Sequence, residues 1–167
     1  IGPYISSEQL AASYAAFANG GTYYKPYLIN KIVQVNGVTH KYHQQGKRAM
    51  SPATAFMITN MLKGVMTDSA GSGTAAKVAG LYEAGKTGTT QYPDDYLNKV
   101  PAMSTMDSWF SGYTKNYSLA IWTGYDHQFK ANSYVTSAQT SIAQEIYKNV
   151  MGYISEDKPN TDWAQPS

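Results

Sequence analysis

A chain of 167 residues and 18.3 kDa, 43% apolar and 14% charged, has the composition of one globular domain with a core and not that of a disordered polymer. A net charge of +2, with 13 Lys and Arg scattered along the chain, argues against a nucleic-acid partner; the lack of cysteine excludes a disulfide scaffold, a thiolate metal site and a cysteine nucleophile. No run of about 18 apolar residues is available to cross a bilayer, no signal peptide is visible, and a start at Ile1 in place of Met points to a fragment.

In chain order, Ser6 followed by Gln9 is a capping-box pattern that opens a first helix. Leu10, Tyr14, Phe17 and Ala18 recur at helical spacing, and Gly20-Gly21 ends the run. A β-rich segment follows. Asn36-Gly37 predicts a type I′ hairpin between residues 31–35 and 38–42. His40 and His43 lie on this hairpin, but no third ligand accompanies them, so a solvated hairpin is the reading and no metal site is assigned. Ser51-Pro52 starts a second helix, with Phe56, Ile58, Met61, Leu62 and Val65 as its apolar stripe. Residues 69–73 read as a flexible loop, and 74–78 as a short helical turn.

The stretch Gly85-Lys86-Thr87-Gly88-Thr89-Thr90 gathers one ammonium group, three hydroxyls and two glycines. Extended, it alternates its side chains, so Lys86 and Gly88 face one way and Thr87 and Thr89 the other. Glycine at 88 admits a close approach by a ligand or another backbone. A cation, hydroxyls and free edge amides together suit an anionic acyl substrate. As a bare triplet Lys-Thr-Gly is a weak motif, and a solvated strand end is the bland alternative.

Residues 91–107 read as an irregular connection beside the cleft, in which Gln91, Tyr92 and Tyr96 would touch substrate. Two strands, 108–113 and 117–124, follow with Thr114-Lys115-Asn116 as their hairpin loop. A last helix is expected over 137–154, with Ile142, Ile146 and Val150 on one face and Ala143, Tyr147 and Met151 beside them. Residues 1–155 form the domain, and 156–167, with two prolines, read as a tail or linker. The order predicts an α+β fold, an antiparallel sheet covered by helices.

Five segments in this order resemble the C-terminal half of the transpeptidase domain of class A (bifunctional) high-molecular-mass penicillin-binding proteins, whose fold is that of the serine β-lactamases. They are residues 10–21, Met61-Leu62-Lys63-Gly64-Val65, Gly73-Thr74-Ala75, residues 85–90, and Trp109-Phe110-Ser111-Gly112-Tyr113-Thr114 with Ala120-Ile121-Trp122-Thr123-Gly124-Tyr125. The resemblance implies a serine acyl-transfer site built from Ser-x-x-Lys, Ser-x-Asn and Lys-Thr-Gly motifs. Lys86 would set the electrostatics and Thr89 N–H would form half of an oxyanion hole. Thr87, Gly88, Thr89, Thr90 and Gln91 would bind substrate, with the Thr87 and Thr89 hydroxyls holding the carboxylate of a D-Ala-D-Ala stem peptide or of a β-lactam.

The chain departs from the family in lacking the other two motifs. Its only Ser-x-x-Lys, Ser155-Glu156-Asp157-Lys158, falls at a helix end and is rejected as the nucleophile; no Ser-x-Asn occurs, and Tyr96-Leu97-Asn98 follows Lys-Thr-Gly and reads as loop. The resemblance thus implies an N-terminal part of the same domain, on a second chain, carrying the serine. It implies no metal or organic cofactor, no nucleic acid, and attachment to the extracytoplasmic face of the cell membrane through an N-terminal anchor outside this chain. The threonine-rich, cysteine-free character points to a Gram-positive owner. A penicillin-sensing receptor domain without turnover, a serine β-lactamase fragment, and an unrelated sheet-and-helix domain with a chance Lys-Thr-Gly are the alternatives.

Overall fold

The computed structural model describes residues 4–166; Ile1, Gly2, Pro3 and Ser167 lie outside the described residues. Helix α1, Ser7–Ala18, begins on the expected capping box, with Gln9 N–H donating to Ser6 Oγ (3.1 Å) and Ser6 N–H to Gln9 Oε1 (3.0 Å). It ends where Gly20 and Gly21 take φ of 75° and 91°. A Cβ at Gly21 would meet the Met50 carbonyl oxygen at 2.3 Å, so both conformation and space require glycine there.

A thin arm leaves this junction. Strand β1, Thr22–Tyr24, pairs antiparallel with β4, Gly46–Arg48, and between them β2, Lys31–Val33, pairs with β3, Thr39–Lys41. The turn at the tip differs from the sequence expectation. Gly37 has φ of 83° but Asn36 is not left-handed, whereas a type I′ turn needs both. Gly37 N–H donates to the Gln34 carbonyl (2.9 Å) and Gln34 N–H to the Val38 carbonyl (2.8 Å), a type I turn closed by a left-handed glycine. That extra residue shortens the paired strands to three residues each.

Helix α2, Pro52–Thr67, is capped by Ser51, whose Oγ accepts from Thr54 N–H (3.1 Å). Its buried face is Ala55, Thr59 and Met66, and Met61, expected in the apolar stripe, is 65% exposed. The Thr59 hydroxyl meets the Tyr113 hydroxyl in the interior (2.9 Å). A short 3₁₀ turn, Thr74–Ala76, leads to the main sheet.

That sheet has the order β5-β6-β7, all antiparallel: β5 is Ala84–Gln91, β6 Thr105–Tyr113 and β7 Ser118–Gly124. The connection expected to be irregular up to residue 107 contains a 3₁₀ helix, Asp94–Lys99, and β6 starts three residues earlier than the sequence indicated. Alternation puts Tyr113 and Phe110 on opposite faces of β6. Tyr14 and Phe17 of α1 pack on Tyr113, with ring centroids at 6.2 and 6.3 Å. On the other face Phe110 meets Tyr147 of α3, Ile142–Ser155, at 4.7 Å. The sheet is therefore covered by helices on both faces.

The core cluster is Met66, Ala76, Phe110, Ala143, Tyr147 and Met151. It fixes the rotation of α3. Ala143, Tyr147 and Met151 are buried, while Ile142, Ile146 and Val150 stay partly exposed, because Gly112 opens room for the Tyr147 ring. The residues before α3 form a 3₁₀ turn, Ser137–Ser141, and not the helix's first turn. The expected tail does not hang free. Trp163 packs edge-on against Tyr113 (5.6 Å) and donates from Nε1 to the Ala18 carbonyl (2.9 Å), and Lys63 pairs with Asp162.

Candidate active site

The Lys-Thr-Gly strand is anchored at its start by burial. Ala84 and Gly85 are buried, and a Cβ at Gly85 would strike the Phe110 ring at 2.6 Å. Glu83, just before the strand, is 2% exposed. One of its oxygens accepts from Val78 N–H (2.6 Å) and from Lys77 Nζ (3.3 Å), the other from the Tyr147 hydroxyl (3.1 Å). Burial pushes the Glu83 carboxyl above the ordinary glutamate value, against the pull of these donors.

The direction of each amide on β5 follows from the hairpin beyond it. Thr114 N–H donates to the Tyr117 carbonyl across the β6–β7 turn (2.9 Å). Alternation along β6 then sends the amides of Phe110 and Gly112 toward β7, and those of Trp109 and Ser111 toward β5. Their partners are Gly88 and Lys86. The N–H and C=O groups of Thr87 and Thr89 consequently point to the outer edge of β5, which no other strand of the described residues occupies.

The six sequence-predicted residues, Lys86 to Gln91, follow one another along β5 in different surroundings. Lys86 is exposed, and its Nζ donates to the Thr87 carbonyl (3.1 Å) and reaches the Thr87 hydroxyl (3.3 Å), not a carboxylate or a serine. Gly88 shares the Lys86 face, where a Cβ would lie 3.3 Å from Trp109 Cβ. Thr89 is exposed, and among the described residues its hydroxyl has no hydrogen-bond partner within the chain. Thr90 is held by its N–H to Asp107 Oδ1 (3.0 Å). Gln91 follows a register shift and stands apart from the other five.

Ser72 belongs to this group although its sequence context read only as flexible loop. Its hydroxyl lies 2.8 Å from that of Thr87, and its carbonyl accepts from Gln144 Nε2 (3.1 Å), so α3 supports the loop. No local pattern marks a serine 15 residues upstream as a neighbour of Thr87.

Tyr92 and Tyr96 do something other than face a ligand. Tyr92 is buried, its hydroxyl within bonding distance of the Gln128 (2.9 Å) and Ser133 (2.8 Å) carbonyls, to one of which it donates at a time. Tyr96 stacks on it at 5.2 Å and donates to the Phe129 carbonyl (2.6 Å). The pair pins the 3₁₀ segment to residues 128–133. Tyr96-Leu97-Asn98 is part of that segment. Ser155 closes α3 with its hydroxyl on Met151 Sδ (3.5 Å).

An exposed ammonium group, outward amides and a free hydroxyl on an unpaired strand edge can bind an extended, carboxylate-bearing peptide by strand addition. The family model described as penicillin binding protein transpeptidase domain matches residues 1–152. The chain is 42% identical over 164 residues to penicillin-binding protein 1A of Streptococcus pneumoniae, covering 96% of this chain and 22% of that protein. It is 34% identical over 154 residues to penicillin-binding protein 1A/1B of Bacillus subtilis, 91% of this chain and 17% of that one. Among solved structures it resembles the penicillin-binding protein PonA1 of Mycobacterium tuberculosis, with a TM-score of 0.76 and 25% identity over 95% of this chain and 40% of the other. A second structure holds that protein in complex with penicillin V. The chain spans about a fifth of the length of these two curated relatives.

Proposed function

The chain belongs to the penicillin-binding protein transpeptidase family, of the class A type, and we propose that it forms one wall of a serine D,D-transpeptidase site. That site cross-links peptidoglycan stem peptides and is acylated by β-lactams. The observation that carries this reading is the open edge of β5, where Thr89 turns its N–H outward beside the Lys86 ammonium group.

In this reading a serine on an N-terminal part of the same domain attacks the carbonyl of the penultimate D-Ala. Negative charge develops on the carbonyl oxygen, and Thr89 N–H donates to it as half of the oxyanion hole; one such donor is worth about 3–4 kcal/mol in the transition state. Lys86 favours the anionic substrate and the developing charge. The Thr89 hydroxyl, with that of Thr87 steadied by Ser72, holds the terminal carboxylate. Gly88 lets the peptide backbone lie close, and Thr90 and Gln91 bound the subsite. Departure of D-Ala leaves an acyl-enzyme, which an acceptor amine resolves to the cross-link. The whole protein works at the extracytoplasmic face of the cell membrane, held by an N-terminal anchor.

Acylation of the full-length protein by a fluorescent penicillin tests this. The rate constant is expected to fall at least about a hundredfold in Lys86→Ala. An unchanged rate contradicts the assignment. Turnover of a D-Ala-D-Ala donor with an acceptor amine separates a transpeptidase from a receptor domain, which stops at the acyl-enzyme, and from a β-lactamase, which hydrolyses it.

A further inference from the structure

The far end of β5 is closed by a carboxylate that the acyl-transfer scheme above does not use. Asp107 is 7% exposed, and among the described residues no cation pairs with it. A buried carboxylate in that position needs hydrogen-bond donors on both oxygens. Three N–H groups supply them. Oδ1 accepts from Thr90 N–H (3.0 Å), and Oδ2 from the indoles of Trp109 (3.2 Å) and Trp122 (3.4 Å). The two indoles belong to residues directly opposed on β6 and β7, with rings 6.4 Å apart. They hold one oxygen and leave the other aimed at the Lys-Thr-Gly strand.

The bond to Thr90 falls where the ladder stops protecting the strand. The β5–β6 register shifts between Thr90 and Gln91, and Gln91 pairs with Thr105 only after that shift, so the regular ladder ends at Thr90. Within one peptide plane N–H and C=O point in opposite directions. Fixing Thr90 N–H inward therefore fixes the Thr89 carbonyl outward, while the Thr89 N–H lies in the preceding plane, whose Gly88 carbonyl faces Trp109 across the ladder. Trp109, the second donor, is also the residue packed under Gly88. One carboxylate thus restrains both neighbours of Thr89.

From this juxtaposition we infer that Asp107 is a positioning residue for acyl transfer: through the Thr90 amide and through Trp109 beneath Gly88 it holds the two peptide planes that flank Thr89. The inference rests on the transpeptidase reading of the β5 edge. A displacement of about 1 Å at an oxyanion donor costs about a hundredfold in rate. Asparagine cannot replace Asp107, because it offers one acceptor oxygen and brings two donors of its own against three N–H groups.

The test compares the wild-type full-length protein with Asp107→Asn, following acylation by a fluorescent penicillin at several concentrations. Asp107→Asn is expected to lower the first-order acylation constant about tenfold to a hundredfold, with the constant for the preceding non-covalent complex unchanged. That rate constant is independent of how much protein is folded. A merely structural role would instead reduce the fraction labelled at completion and leave the rate of the remainder at the wild-type value, which would overturn the inference. Should Asp107→Asn not fold, Asp107→Glu keeps the charge and shifts the carboxylate by one methylene; a wild-type acylation constant in that variant would also overturn it. Trp122→Phe, which spares the Thr90 bond, is expected to acylate within about threefold of wild type, and a loss equal to that of Asp107→Asn would show that Thr90 is not the route. A wild-type protein that is never labelled would instead overturn the transpeptidase reading itself.

Discussion

Glu83 and Lys86 lie three residues apart at the head of one strand, in opposite surroundings. Lys86 is exposed, next to the Thr87 carbonyl and hydroxyl. Glu83 is sealed beneath Tyr147, and burial raises its pKa despite Val78 N–H and Lys77. The sign of its contribution follows from proton binding. A carboxyl whose folded pKa exceeds its unfolded one binds more protons in the folded state, so its contribution is fully present below the unfolded value and is lost as pH rises through the folded one. Thermal unfolding of the wild-type protein and Glu83→Gln across pH 4 to 8 should therefore show the wild type losing stability relative to the variant as pH rises. A difference that stays flat across this range would mean that the Glu83 pKa is not raised. Burial, and then the Glu83 charge, lift the Tyr147 hydroxyl far above the working range, so it stays protonated throughout.

At the level of elements, the features legible in the sequence were those written in adjacent residues. Ser6 with Gln9, Ser51 with Pro52, and Gly20-Gly21 each satisfy or terminate a helix end within one turn, so their chemistry is local. The rotation of a helix is decided by its partner. Hydropathy favoured Met61 over Thr59 on α2, but Thr59 is buried because Tyr113 offers its hydroxyl a partner 54 residues away. Strand β4 was not seen for the same reason, since Gly46-Lys47-Arg48 has no β-forming side chains and pairs with β1 only because the arm closes on itself.

The Thr59–Tyr113 bond can be measured. Thr59→Val leaves a buried hydroxyl without a partner and is expected to cost about 1–3 kcal/mol of stability. Adding Tyr113→Phe should recover most of that loss. Simple additivity of the two single variants in a denaturant-unfolding cycle would show that the hydroxyls do not interact.

Across the whole molecule, the candidate site divides in the same way. Residues 86–90 were legible because Lys-Thr-Gly is contiguous and alternates on one strand. Ser72 and Asp107 were not, because their roles exist only once a loop and a second strand lie against β5. Long-range packing also claims the residues that read as a tail. Asn160 accepts from Tyr82 N–H (2.9 Å) and donates to the Gly80 carbonyl (2.7 Å), and Trp163 bridges α1 and Tyr113. The last residues therefore brace the segment that leads into the Lys-Thr-Gly strand. Because Trp163 is only partly buried, Trp163→Ala is expected to cost roughly 2–3 kcal/mol, somewhat less than truncation of a fully buried aromatic. Thermal stability unchanged in that variant would restore the reading of residues 156–167 as a tail or linker.

In the proposed site this chain supplies the anionic-substrate wall, and the acylated serine lies outside these 167 residues. Mass mapping of the adduct in the full-length protein after reaction with a penicillin tests it most directly. A single modified serine is expected in the part of the protein before these residues, with this stretch recovered unmodified. An adduct on a serine of this stretch, Ser72 or Ser155 above all, would contradict it.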